Sequence, residues 1–226
     1  MKALQGMDLP GVDELRSWIG HSLCHGEHVL ARSNQGTILL YQQGPRPLIV
    51  KTAMGRGVVL RARRQTLLRE YAAYRRLEGV VGVPACYGMI DRRYLLLEYV
   101  AGTSYREATL DDREAWFEKL LEILHAIHAR GVAHGDLKSK GNLLVTASGE
   151  PCVVDFGTAF VHRTGFHPVN NWFFRTARRM DRNAWVKHKY RGFYRDASEE
   201  DSALLDYSWI ERVVRRLSGR PMDRLR

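Results

Sequence analysis

Two polar segments separated by a short hairpin constrain this chain more than any other feature. HGDLKSKGN occupies residues 134–142 and VVDFG residues 153–157. Between them, Asn142–Val145 and Cys152–Val154 read as two short strands around the turn TASGEP. The first segment carries Asp136 and Asn142, and Asp155 ends the returning strand, so three oxygen-bearing side chains are expected at one edge. A long helix over 111–130 precedes them. Asp111 and Asp112 open it, Trp116, Leu120, Ile123 and Ile127 mark its buried face, and Gly131 sits where a C-terminal cap belongs.

The rest of the chain divides by periodicity. Residues 12–24 read as a leading helix. His28–Arg32, Thr37–Tyr41 and Leu48–Thr52 are strand-like, separated by SNQG (33–36) and QQGPRP (42–47), which predicts an antiparallel meander. Over 58–78 the period becomes helical through Leu60, Leu67, Tyr71 and Tyr74, and Gly79 ends the run. Strands around Ala85–Ile90 and Tyr94–Tyr99 follow, turning at Asp91 and Arg92, and mostly helical sequence completes the chain. A β-rich front with one helix and an α-rich back with one hairpin make two lobes rather than alternating βαβ units, which argues against a Rossmann-type sheet. The expected class is α+β, with a small β-rich N-lobe over 1–100 and a mostly helical C-lobe over 101–226.

Composition bounds the partners. With 45% apolar residues in 226, a packed core is expected and global disorder is not. Lys and Arg number 35 against 25 Asp and Glu, a net +10 that favours nucleotide, phosphorylated sugar, anionic lipid or nucleic acid. Cys24, Cys86 and Cys152 form no CxxC pair, so neither a zinc knuckle nor a redox pair is indicated, and the sparse odd count fits a reducing compartment. MKALQGMDLPGVDELRSW holds no continuous apolar h-region, and no run of about 18 apolar residues occurs. The expected location is the cytoplasm, with peripheral attachment to the cytoplasmic face of an inner membrane compatible.

The polar segments match the demands of phosphoryl transfer. That reaction needs a carboxylate to orient the attacking hydroxyl and accept its proton, oxygen ligands for magnesium, and a cation for the charge on the transferred group. Asp136 suits the first role. Asn142 and Asp155 are hard oxygen donors suited to magnesium. Lys138 is two residues past Asp136, within reach of the transferring phosphate. Gly157 leaves the chain free to turn sharply after Asp155.

HGDLK-xxx-N together with DFG resembles the catalytic and metal-binding loops of protein-kinase-like enzymes, over roughly residues 28–160. The resemblance implies a two-lobed kinase-like fold with ATP and magnesium as cofactors. It places Lys51, at the end of LIVK, against a helix glutamate, Glu70, to hold the α- and β-phosphates. LLLEYVAG (95–102) becomes the hinge between lobes, with the backbone around Glu98, Tyr99 and Val100 contacting adenine. Gly36 belongs to the turn covering the nucleotide, and His134 braces the catalytic loop by hydrogen bonding. The HGD triplet and small size look most like the bacterial group of RIO-like kinases and heptose or Kdo kinases of lipopolysaccharide assembly. The implied acceptor is then a lipopolysaccharide-type sugar or other small anionic molecule. A RIO-like Ser/Thr protein kinase or ATPase is the alternative, and a nucleotide-binding pseudokinase serving as a membrane or RNA module is a third reading.

Three departures from that pattern stand out. The turn SNQGT has one glycine rather than GxGxxG. Six positions separate Asp136 from Asn142, one more than usual, so the loop must bulge at Ser139, Lys140 or Gly141. No APE motif follows DFG; TAFVHRTGFHPVNNWFF stands there instead, which favours a small-molecule, glycan or specialised protein acceptor.

Between Trp172 and Arg195, eight Lys or Arg and seven aromatics interleave with a single Asp. Such a segment suits an anionic membrane surface or a phosphorylated glycan, and equally a C-lobe helix with core aromatics and solvated charges. No RNA-binding motif accompanies it, so nucleic acid is not the expected partner. Arg56, Arg61, Arg63, Arg64 and Arg69 form a second basic cluster, read as a solvated helix face or a contact for phosphates. His125, His128, His162, His167 and His188 show no metal-ligand spacing and read as packing or surface residues. Oligomeric state has no signature in the sequence.

Overall fold

The computed structural model describes residues 9–33, 36–193 and 196–205. The chain forms two compact units: one runs to Ala101 and takes in Val154–Thr158, and the other comprises Gly102–Val153 and the residues from Ala159 onward.

The first unit is a five-stranded sheet with two helices. β1 (Val29–Ser33), β2 (Gly36–Tyr41), β3 (Leu48–Ala53), β4 (Cys86–Ile90) and β5 (Tyr94–Glu98) lie in the order β1-β2-β3-β5-β4, antiparallel at every pairing. Helix α1 (Val12–His25) buries Leu15 and Ile19 among Leu39, Tyr41, Leu48, Val50 and Leu96. Strand side chains alternate between faces. With Leu48 and Val50 turned into that cluster, Lys51 is turned to the opposite face, toward helix α2 (Gly57–Arg76). Helix α2 ends at Arg76, with Leu77 as its cap, before the chain turns through Gly79 at φ 78°.

The sequence reading put the DFG loop in the C-lobe, whereas Val154–Thr158 packs with the first unit. The cause is an aromatic anchor. Phe156 is fully buried and meets Tyr74 of α2 edge-to-face at 5.0 Å. The Tyr74 hydroxyl also lies 3.3 Å from the Asp155 amide, which donates to it.

In the second unit, α3 (Arg113–Ala129) packs against α4 (Pro168–Lys189). β6 (Gly102–Ser104), β8 (Leu143–Thr146) and β9 (Pro151–Val153) form a small antiparallel sheet, and β7 (Val132–Ala133) pairs with β10 (Phe160–Val161). Asp112 caps α3 by accepting from the Ala115 amide at 3.0 Å, and Gly131 follows its end at φ 71°. Trp116, Phe117, Leu120, Leu124 and Ile127 form the inner face of α3. Trp185 of α4 donates its indole N–H to the Phe117 carbonyl at 2.8 Å.

Helix α4 splits the basic aromatic segment. Phe174 and Trp185 are buried, and the buried Lys189 is ion-paired with Glu114 and, at 2.6 Å, with Asp201 of α5 (Glu199–Ala203). Trp172 and Phe173 remain exposed, with Phe173 stacked on Phe160. So part of the segment is core and part is surface; Tyr194 and Arg195 lie outside the described residues. Among the described residues no helix is long and apolar enough to cross a membrane.

Candidate functional site

The first unit gathers four of the singled-out residues at one pocket. Gly36, Lys51, Glu70 and Asp155 line a cavity of about 230 Å³ with Thr37, Thr52 and Arg63. Lys51 Nζ donates to Glu70 Oε1 at 2.5 Å and to Asp155 Oδ1 at 2.7 Å. The Glu70 side chain is 2% exposed and the Lys51 side chain 13%. Burial pulls the Lys51 ammonium toward neutrality, but the Glu70 and Asp155 carboxylates outweigh it and raise its pKa above the ordinary lysine value. Burial pushes Glu70 up, and Lys51 offsets only part of that rise.

Asp155 itself has a left-handed backbone, φ 66°. The sequence reading gave conformational freedom to Gly157, but that residue lies in a 3-10 turn, Phe156–Thr158, and is not among the positive-φ positions. The sharp turn is made at the aspartate because Phe156 must enter the core immediately after it. Aspartate tolerates this region better than most residues, at a cost of roughly 1–2 kcal/mol. Such strain held at a polar pocket is a mark of function. With one carboxylate oxygen on Lys51 and the side chain half exposed, Asp155 offers a hard oxygen ligand that suits magnesium.

Gly36 is required by packing. A Cβ there would lie 1.7 Å from the Thr52 carbonyl oxygen, so only glycine lets β2 start against β3. In the hinge stretch, the Glu98 amide donates to the Ala85 carbonyl at 2.9 Å and its carboxylate accepts from the Ala85 amide at 2.9 Å. Tyr99 donates to Pro47 at 3.4 Å. Val100 alone of the three keeps a backbone N–H with no protein acceptor among the described residues.

In the second unit the catalytic loop is closely braced. The extra residue between Asp136 and Asn142 is absorbed by two successive tight turns. Ser139 N–H donates to Asp136 O at 3.2 Å, and Asn142 N–H donates to Ser139 O at 3.0 Å, closing the 3-10 turn Lys140–Asn142. Asn142 Nδ2 then donates to Asp136 O at 3.0 Å, which orients the amide and leaves its oxygen as the available ligand. His134 is fully buried, and its Nδ1 accepts from the Asp136 amide at 3.3 Å, the bracing role expected of it. The Asp136 carboxylate makes no hydrogen bond or ion pair among the described residues. Lys138 is exposed and lines a second pocket with Lys140 and Lys187.

Two further braces were missed from sequence. Asp181, fully buried on α4, accepts from the amides of His134 and Gly135, each at 2.8 Å, and from His128 Nε2 at 3.0 Å. His188 donates Nε2–H to the Leu137 carbonyl at 2.9 Å, and burial, together with Lys140, Lys187 and Arg113, lowers its pKa. His128 and His188 were read as packing or surface residues; they are buried ties to the loop. The signal was present, since Phe174, Ala177, Asp181, Ala184 and His188 recur at helical spacing on one stripe of α4. A polar residue on such a stripe demands a buried partner.

The family model described as protein kinase domain matches residues 48–176, more than half of the chain. Three curated rice proteins (Oryza sativa subsp. japonica) are similar over shorter stretches. CBL-interacting protein kinase 31 is 41% identical over 86 residues, which are 35% of this chain and 19% of that protein. CBL-interacting protein kinase 32 is 33% identical over 86 residues, with the same shares. CBL-interacting protein kinase 3 is 31% identical over 90 residues, 37% of this chain and 20% of that protein. The chain thus spans about a fifth of the length of the curated relatives it matches.

Proposed function

From the premise that this chain belongs to the protein kinase domain family, we propose that it transfers the γ-phosphate of ATP to a protein hydroxyl, with magnesium as cofactor. The observation that carries the reading is the buried Lys51–Glu70 pair with Asp155 on the same ammonium. A pocket needing only solvation would not hold two carboxylates and a lysine this close. Lys51, held by Glu70, aligns the α- and β-phosphates, and the Val100 amide is the donor left for the adenine edge. Asp155 and, from its own loop, Asn142 are the magnesium ligands of this reading. Magnesium, when bound, neutralises charge on the phosphates.

Asp136 orients the acceptor hydroxyl and takes its proton. The acceptor oxygen forms a bond to the γ-phosphorus, the bond from that phosphorus to the β–γ bridging oxygen breaks, and ADP leaves with the electron pair. Lys138 steadies the charge on the transferring group.

The named relatives are protein kinases, which favours a protein acceptor. They lend no support to the lipopolysaccharide-sugar reading or to a RIO-like affiliation. Incubation with γ-labelled ATP and magnesium, followed by separation of protein from glycolipid, tests the reading. Label in protein, lost in Asp136→Ala, is expected. Label confined to glycolipid would return the acceptor to a sugar, and absence of Asp136-dependent label in any fraction would sink the transfer reading.

A further inference from the structure

The pocket beside Lys138 lies wholly within the second unit and has a volume of about 370 Å³. Besides Arg113, five cations line it: Arg106, Lys138, Lys140, Lys187 and Arg191. All five are exposed. Among the described residues none of them has an ion-pair partner, and no carboxylate lines the pocket. The contrast with Lys189 is direct, because that neighbour on the same helix is taken up by Glu114 and Asp201. Like charges repel, so a concave surface carrying five unpaired cations is most stable with an anion in it.

Two observations point to a ligand rather than to general solubility. Arg191 follows the end of α4 with a left-handed backbone, φ 52°, at the place where helix ends favour glycine. A bulky cation is held there against backbone preference. The pocket floor is also rigid. The Arg113 guanidinium donates to the carbonyls of His188 and Lys189 and, at 2.9 Å, to the Tyr105 hydroxyl, while His188 holds the Leu137 carbonyl between Asp136 and Lys138. The depressed pKa of His188, caused first by burial and then by Lys140, Lys187 and Arg113, agrees with a positive field in this region.

Among the described residues Tyr105 is the only aromatic lining the pocket apart from His188. It is buried and stacked on Trp116, so no open ring face is offered to a nucleobase. Among the described residues Ala108 is the sole aliphatic one in the lining, which offers little to a lipid chain. Resting on the protein-acceptor reading above, we propose that this pocket selects acceptor segments whose hydroxyl is flanked by anionic side chains, either aspartate and glutamate or an already phosphorylated serine or threonine. Lys138 is two positions past Asp136, so a flanking anion in the pocket sits within a few residues of the hydroxyl that Asp136 orients.

The test is fluorescence anisotropy of the full chain with four probes: short serine peptides flanked by aspartate, by phosphoserine or by lysine, and a single-stranded oligonucleotide. Each is run against the unmodified protein and the double variant Arg106→Glu/Lys187→Glu. Neither of these two side chains makes a hydrogen bond or ion pair among the described residues, and an unchanged Tm shows that the variant is folded. The expected result is binding of both acidic peptides and not the lysine peptide, weakened roughly tenfold or more by the double reversal. Equal binding of acidic and basic peptides, binding indifferent to the reversal, or tighter reversal-sensitive binding of the oligonucleotide would overturn the proposal. The same peptides are then offered with labelled ATP. Asp136-dependent transfer without acidic preference overturns the pocket assignment and leaves phosphotransfer standing. Acidic binding without any Asp136-dependent transfer supports the pocket's ligand class and overturns the transfer reading instead.

Discussion

Lys51 Nζ lies 2.5 Å from Glu70 Oε1, across a boundary between strand and helix that buries the glutamate almost completely. Removing one partner leaves an uncompensated charge in the interior. Lys51→Met is expected to lower stability by about 3–5 kcal/mol and to cripple ATP-dependent transfer. The double variant Lys51→Met/Glu70→Leu should recover at least half of the stability, as judged by urea denaturation, and none of the activity. A double variant that regains turnover would show the pair to be structural only.

Asp155→Gly separates strain from chemistry. Glycine adopts φ 66° without penalty, and the lost ion pair is half exposed, so stability should stay within about 1 kcal/mol of the unmodified protein or rise slightly. Magnesium-dependent turnover should disappear. Titration calorimetry with magnesium and nucleotide checks the same variant for lost metal coupling, and undiminished turnover would remove Asp155 from the mechanism.

Asp181→Asn keeps the size of the side chain but sets an amide where three donors converge. The expected loss is about 3 kcal/mol, with a steep fall in kcat as the loop carrying Asp136 loosens. Faster hydrogen exchange at the His134 and Gly135 amides would identify the cause. Unchanged protection there would exclude it.

His188 predicts an acid sensitivity. Its folded pKa is below the ordinary value of 6.5, so between that lowered value and 6.5 the unfolded chain binds the extra proton. Its contribution is therefore complete above pH 6.5 and declines as pH falls through the window, at up to about 1.4 kcal/mol per pH unit. His188→Gln can still donate to the Leu137 carbonyl. Denaturation midpoints across pH 5–8 should fall more steeply below pH 6.5 for the unmodified protein than for this variant.

What the sequence made legible is local. The meander from β1 to β3 is spelled by alternating apolar runs and turn clusters, and the helix carrying Glu70 by its period. The candidate oxygen ligands stand out because loop chemistry concentrates them in two short segments. Asp181 escaped because its partners lie 46–53 residues away, and a contact across that distance leaves no periodic trace in its own neighbourhood. It was counted as the single acid in a basic run. The misplacement of the flexible position at Gly157 has a different origin: tertiary anchoring of Phe156 on Tyr74, rather than residue preference, decides where the chain bends. The direction in which the loop bulges was likewise set by hydrogen bonds that composition does not reveal.

The tie from Asp181 to Gly135 spans 46 positions and orders events during synthesis. A nascent chain that has just exposed Asp136 to solvent does not yet contain the helix that holds its loop. At about 5–20 residues per second, several seconds pass before α4 has been made. Throughout that interval His128 and the loop amides await their acceptor, so the braced loop carrying Asp136 is a late acquisition of the growing chain. Synonymous codons that slow translation between β7 and α4 would lengthen that vulnerable stage without altering the finished molecule.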